Sequence, residues 1–231
     1  TSLRSAVETL QLVKKDEQRD RLIEIVKQDV KRMDRLITDI SDASRLDAEL
    51  ARTESRPTDL AKLLTNITTM SNELAKPDMA DVVLNIQAPH KGLSADDAYL
   101  INGQDSRLSQ VFRNLIDNAR SFTAAGSKVN VRLRRAGHVI EARVEDQGPG
   151  IRPENLERVF ERFYTDRPEQ SFGNNSGLGL AISRQIVEAH KGRIWAENRL
   201  GRANAEGERP IQGARFLVQL PALESSKPEG R

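Results

Sequence analysis

Three segments between residues 105 and 180 carry residue types and spacings from which chemistry can be read: RLSQVFRNLIDNARSF, VEDQGPGI and NSGLGLAISRQIVEAH. The first is helical in pattern, with Asn114 and Asn118 one turn apart, so both side-chain amides leave the same face. Two amide oxygens placed in this way suit a Mg²⁺ ion beside phosphates. The second is a strand running into Asp146-Gln147-Gly148-Pro149-Gly150. Glycines at such a turn let backbone approach a flat ligand, and the carboxylate can accept a hydrogen bond from an adenine amino group. The third puts Gly177 and Gly179 at the start of an apolar-periodic helix, where free N–H groups and the positive dipole end suit an anion. Each segment alone has an ordinary explanation, a tight turn after a strand or a loop feeding a helix. Their order and spacing together point to ATP held with Mg²⁺.

The elements that must position these groups follow from periodicity and turn chemistry. Up to about Arg56 the chain has almost no glycine or proline and reads as two helices. Leu3, Val7 and Leu10 mark a short one, and Leu22, Val26, Val30, Met33, Ile37 and Ile40 form an apolar stripe on a long one. A thin hairpin cannot bury that stripe on its own, so two copies of the chain are expected to pair into a four-helix bundle; packing on the rest of the same chain is the alternative. Ser55-Arg56-Pro57-Thr58-Asp59 breaks the pattern, with Thr58 or Asp59 as the cap of a helix from Leu60 to about Leu74. Beyond it we expect a strand around Val82 to Ile86 and the asparagine helix from about Asp105 to Phe122. A hairpin follows, with Val129, Val131 and Leu133 on one strand, Val139 and Val144 on the other, and Ala136-Gly137 between. Two more strands lie at Arg193 to Glu197 and Arg215 to Leu220. These elements make an α/β sandwich, a mixed sheet with helices on one face. RLGRANAEGERPIQG reads as an exposed loop and ESSKPEGR as a disordered tail.

Charge narrows the function classes. The chain has 36 basic and 34 acidic side chains, a formal charge of +2, and this near-balance argues against a nucleic-acid partner. The densest basic run, VRLRRAGH, alternates as a strand with Arg132 and Arg134 on its solvated face. The absence of cysteine excludes disulfides and thiolate metal sites. No apolar run approaches membrane-spanning length. The sequence starts at Thr1-Ser2-Leu3-Arg4 already in a helical pattern, and is expected to be part of a longer protein.

With ERVFERFY lying between the second and third segments, the set resembles the N box, the two glycine boxes and the F box of the GHKL ATPases (gyrase, Hsp90, histidine kinases, MutL), and in particular the histidine-kinase branch. In finer detail ISDASRLDAELAR, NLIDNARSF, RVFERFYTDRPE and NSGLGLAISRQIVEAH resemble the ChvG type of alphaproteobacterial envelope sensors. The likeness covers nearly the whole chain. It implies an α+β chain: residues 1–56 as a dimerisation and phosphotransfer hairpin forming a dimeric four-helix bundle, residues 57–221 as a catalytic ATP-binding domain of the GHKL sandwich type, and residues 222–231 as a tail.

Carried over by position, the resemblance implies that Asn114 and Asn118 lie near Mg²⁺ and the phosphates, with Ser121 and Phe122 closing the N box. Asp146 then reads the adenine amino group while Gly148, Gly150 and Ile151 form the turn beside it. Ser176, Gly177, Leu178, Gly179 and Leu180 open the helix under the phosphates. Phe160 and Phe163 match the F box and anchor a lid between Tyr164 and Ser176, although aromatics at this spacing also read as core. Relatives often carry Lys or Arg where Ser121 stands, so the phosphate-binding cation is open, with Arg120 and Arg162 as candidates.

The phospho-accepting histidine of such kinases lies in a segment of the form HELKNPL, just ahead of the residues that resemble Thr1 to Arg4. His90, His138 and His190 are not expected to replace it, so no catalytic residue is assigned here. What the resemblance implies is transfer of the ATP γ-phosphoryl to that histidine and then to an aspartate of a response regulator receiver domain, in the cytoplasmic portion of a bacterial inner-membrane protein. Two other readings stand beside it. One is an ATP-driven clamp of the same superfamily, disfavoured because Asn114 replaces the water-activating Glu; the other is a nucleotide-binding dimeric scaffold without kinase activity.

Overall fold

A computed structural model describes residues 17–27, 30, 33–34, 37–38, 40–41, 54–89, 94, 97–164, 177–203 and 207–224. The described residues between 17 and 41 are helical. Of the apolar stripe on them, Leu22 and Val26 are half-buried, whereas Val30, Met33, Ile37 and Ile40 are 45 to 63% exposed. The expected first helix, at Leu3, Val7 and Leu10, lies outside the described residues. No helix among the described residues is long and apolar enough to cross a membrane.

The break expected at Pro57 is formed by a strand. β1 (Arg56–Asp59) pairs antiparallel with β3 (Leu100–Gly103), an element the periodicity did not reveal because four residues are too few to show an alternation. Asp59 decides the cap of α1 (Leu60–Glu73): its Oδ1 accepts from the N–H of Ala61 at 2.9 Å and of Lys62 at 3.1 Å. At the other end of α1, the Asn72 side chain pairs with both backbone groups of Val82 and so sets β2 (Asp81–Ile86) alongside. The long helix α2 (Asp105–Phe122) has the expected bounds.

β4 (Lys128–Ala136) and β5 (Val139–Glu145) form the expected hairpin. Its buried face on β5 is Ile140, Ala142 and Val144. Val139, five residues from Val144 on the same strand, lies on the other face. After two 3₁₀ turns at Pro153–Asn155 and Arg158–Phe160 come α3 (Gly179–Ala189), β6 (Arg193–Leu200) and β7 (Ile211–Pro221). The last two strands reach further into RLGRANAEGERPIQG than expected, so Arg199, Leu200 and Ile211 to Gly213 are strand residues. After β7, Ala222 and Leu223 donate their N–H groups to the carbonyls of His138 and Leu100, and the expected tail lies outside the described residues from residue 225 on.

The five-stranded sheet has the order β2-β4-β5-β7-β6, with β2 and β4 parallel and the other pairs antiparallel. One face carries the apolar positions of the strands against Leu60, Leu64, Phe112, Leu115, Ile116 and Ile186 of the three helices. The opposite face is an ionic lattice. Glu141 is held by Arg134, Arg143 and Gln219, and Glu145 by Arg215 and Arg132. This is the mixed α/β sandwich expected; its consequence is that the ends of β5, α2 and α3 come together at one edge.

Candidate nucleotide-binding site

Asn114, on α2, turns its amide toward α3. Its Nδ2 donates to the carbonyl oxygen of Gly179 at 3.1 Å and lies 3.5 Å from the Ser183 hydroxyl, which itself donates to the same carbonyl. With the nitrogen so committed, the Asn114 Oδ1 is the end left for a cation. Asn118, one turn on, makes no side-chain hydrogen bond among the described residues and is half-buried. Two amide oxygens from one helix face are hard, neutral donors of the type Mg²⁺ takes when phosphates and water supply the rest of its shell. No cluster of three His, Cys, Asp or Glu side chains suited to a metal occurs among the described residues.

α3 begins at Gly179 with no side-chain cap, so its leading N–H groups remain available to an anion. Just ahead, Gly177 is at φ +73°, and a Cβ there would sit 2.9 Å from the Phe163 backbone. Phe163 itself is at φ +65°, which is unusual for a non-glycine residue. Its N–H donates to the Gly177 carbonyl at 2.9 Å. The two ends of the 164–177 segment are therefore stapled together, whereas Ser176 and the expected lid lie outside the described residues. Phe160 and Phe163 divide. Phe160 is core, edge-on to Phe216 and covered by the Arg184 guanidinium 4.1 Å from its ring centroid, but Phe163 is 59% exposed. Tyr164 lies beneath Arg158, 4.9 Å from its ring centroid.

The acid at the glycine turn is buried. Asp146 is 2% exposed, and its Oδ1 accepts from the N–H of Gly148 at 2.8 Å and of Ala214 at 2.9 Å. Its other carboxylate oxygen has no hydrogen-bond partner among the described residues and is the acceptor left for an amino group. Burial pushes the carboxyl above its ordinary 3.8, while those two N–H groups and the Arg199 guanidinium pull the other way. Glycine is required at two positions here. A Cβ on Gly148 would lie 2.8 Å from the Phe122 carbonyl oxygen, so this turn presses against the end of α2. Gly150 is at φ +80°, and its Cβ would lie 2.3 Å from Ile211. Ile151 packs partly buried against the core.

Arg120 faces away from this edge. It is 7% exposed and donates to the carbonyls of Ala80 and Ser71 and to the Asn72 Oδ1, tying α2 to α1 and β2. It therefore leaves the set of phosphate-binding candidates. The reason is angular: two residues after Asn118 is about 200° around a helix, which points the side chain to the opposite side. Ser121 is exposed, Phe122 is 39% exposed beside the Asp146 turn, and Arg162 is exposed next to the lid ends. Leu178 is fully buried and Leu180 half-buried, so these two shape the helix start as packing residues.

With this geometry in place, comparison with known proteins is specific. Residues 103–224 match the histidine kinase-, DNA gyrase B- and HSP90-like ATPase family. This chain belongs to that family. The sensor protein ChvG of Agrobacterium fabrum (strain C58 / ATCC 33970) is 49% identical over 227 residues, which is 97% of this chain and 37% of that protein. The chain thus spans less than two fifths of that relative. The structure of the mycobacterial sensor histidine kinase MprB is 25% identical with a TM-score of 0.57, covering 74% of this chain and 99% of its own. Full-length ShkA, solved in complex with AMPPNP, shares the fold at 24% identity and a TM-score of 0.66, covering 95% of this chain and 42% of that one.

Several residues that pack around these groups carry no sequence signal that would have singled them out. Arg199 opens the stretch read as a loop, Asn198 falls between it and the strand expected to end at Glu197, and Ala214 acts through its backbone N–H, so no residue type advertises it. Arg184 could have been found from the helical spacing that puts it one turn after Leu180, facing the F-box segment.

Proposed function

We propose that this chain is the ATP-binding kinase core of a sensor histidine kinase. It holds Mg-ATP, presents the γ-phosphoryl group to an imidazole nitrogen elsewhere in the longer protein, and the phosphoryl then passes to an aspartate of a response regulator receiver domain. The observation that supports the nucleotide reading most is Asp146: a carboxylate buried at a glycine turn, held through one oxygen and open at the other. The Asn114 and Asn118 oxygens on α2, together with the start of α3, are where the metal and phosphates belong. When bound, Mg²⁺ supplies charge neutralisation between phosphate oxygens; this chain's part is positioning and the exclusion of water.

The histidines of this chain are poor acceptors. His190 has both ring nitrogens engaged, Nε2 accepting from the Gln104 N–H at 2.9 Å and Nδ1 against the Ile186 carbonyl at 2.7 Å. His138 lies at the β4–β5 turn, about 26 Å along the strand from Asp146, and pairs with Glu224. His90 lies outside the described residues. The helical region before residue 57 is the dimerisation unit in this proposal, supported by the exposed Val30, Met33, Ile37 and Ile40. The parent is a membrane-anchored sensor whose kinase portion faces the cytoplasm.

The test is incubation with γ-labelled ATP and Mg²⁺. The chain alone should bind ADP in calorimetry and remain unlabelled, whereas a longer protein carrying the acceptor histidine should gain label that is stable to alkali and lost in acid. Acid-labile label on the present chain that disappears with His190→Gln would defeat the division of labour. Met33→Glu with Ile37→Glu should give monomers in light scattering with ADP binding retained.

A further inference from the structure

β6 is irregular where it passes the adenine turn. Its register against β7 shifts between Asn198 and Leu200, so the chain bulges at Arg199. Both side chains at the bulge reach the 146–151 segment. Asn198 mimics a strand partner: its Oδ1 accepts from the Ile151 N–H at 2.8 Å, and its Nδ2 donates to the Ile151 carbonyl at 2.6 Å. Arg199 Nη1 donates to the main-chain carbonyl of Asp146, and at 3.3 Å to that of Gln212. The approach is close enough that a Cβ on Gly150 would come 2.8 Å from the Asn198 Oδ1.

The adenine turn is thus gripped at both ends from one strand: Arg199 at Asp146, where it begins, and Asn198 at Ile151, where it ends. Between them the segment is held by the Asp146 side chain, through Gly148 and Ala214. We propose that Asn198 and Arg199 are positioning residues for adenine selection, fixing the turn so that the open oxygen of Asp146 meets the exocyclic amino group. This deepens the nucleotide reading above and rests on it. The physical basis is pre-organisation. A carboxylate on a glycine-rich turn discriminates an amino group from a carbonyl only if it cannot move to relieve the wrong contact. Neither residue touches the phosphate end, so their effect is confined to the base.

The experiment is calorimetry of ADP, GDP and Mg-tripolyphosphate on the wild type and on Asn198→Ala, Asn198→Asp and Arg199→Met. Loss of the two Ile151 hydrogen bonds should weaken ADP about tenfold in Asn198→Ala. Tripolyphosphate affinity should be unchanged, the ADP-to-GDP ratio should shrink, and amide exchange at Ile151 should accelerate. Asn198→Asp keeps the acceptor for the Ile151 N–H but sets a carboxylate oxygen against the Ile151 carbonyl, and should be at least as harmful. If Asn198→Ala does not fold, Arg199→Met, which keeps an apolar stem, carries the same expectation of a reduced ADP-to-GDP ratio. An unchanged ratio in folded variants, or equal losses of ADP and tripolyphosphate, overturns the proposal. A wild type that binds tripolyphosphate but shows no preference for ADP over GDP overturns the adenine reading together with it.

Discussion

Two carboxylates on β5 and its continuation, five residues apart, are almost equally buried, yet the structure treats them in opposite ways. Glu141 is 3% exposed and Asp146 2%. Burial raises both, but at Glu141 the hydrogen bonds from Arg134, Arg143 and Gln219 outweigh it and bring the carboxyl down from 4.5 to about 2. At Asp146 burial wins, because two backbone N–H groups and a more distant guanidinium compensate less. Glu141 is saturated with partners on the open face of the sheet, so it serves the fold. Asp146 is left one donor short at the edge where Asn114 and the start of α3 lie, a cost that suits the binding role proposed for it. Two buried acids on one run of chain can thus be told apart by whether their hydrogen-bonding capacity is used up.

The most severe way to break this contrast is Asp146→Asn. It keeps one oxygen for Gly148 and Ala214 but turns an amide nitrogen toward adenine, so ADP affinity should fall about a hundredfold. Because the ionised carboxylate is disfavoured by burial, thermal stability at pH 7 should stay level or rise. A large drop in melting temperature with ADP binding intact would reverse the roles assigned here.

Glu141→Gln should do the opposite. It leaves Arg134 and Arg143 facing a neutral group, costs roughly 2 kcal/mol, and lowers the melting temperature by several degrees with ADP affinity unchanged. Its pH signature has a definite sign. A carboxyl whose native value is depressed adds stability above about 4.5 that is lost as pH falls toward 2. Asp146, raised in the fold, works the other way, and stability decreases as pH rises through its titration. Denaturant melts between pH 2 and 6 should show a shallower acid loss in Glu141→Gln and a steeper net rise with pH in Asp146→Asn. Parallel curves for the two variants would remove the distinction.

Smaller effects sharpen the boundary of the site. Asn118→Ala removes one neutral oxygen from the metal side, and the Mg²⁺-dependent part of ADP binding should weaken about tenfold, with the metal-free affinity unaltered. Arg162→Ala, which takes a solvated cation from beside the lid ends, should change ATP affinity only about twofold and ADP affinity less. A tenfold loss specific to ATP would instead identify Arg162 as the phosphate-binding cation that Ser121 does not supply.

How far each part was legible depended on whether its signal was local. α2 could be bounded to the residue, because an 18-residue apolar stripe has five turns in which to declare its period. The hairpin of β4 and β5 was equally plain, with both expected strands and the Ala136-Gly137 turn in place. β1 and β3 could not be seen, since each is four residues long and exists only through the other. Arg120 was one of two candidates for the phosphate-binding cation because it neighbours Ser121, and its partners in the fold, Ser71, Asn72 and Ala80, are 40 or more positions away.

Residue types alone determined that an asparagine pair, an acid at a glycine turn and a glycine-led helix occur in an order that fits Mg-ATP. Chemistry of that kind is written in side chains and in glycine's freedom at positive φ, both of which are properties of position in the chain. Only the tertiary structure decided which oxygen of Asp146 stays open, that Asn114 commits its nitrogen to Gly179, and that Asn198 and Arg199 reach across from β6 to hold the turn. Those assignments depend on which strands become neighbours, and β5 meets β6 only through β7, which follows it by more than 60 residues.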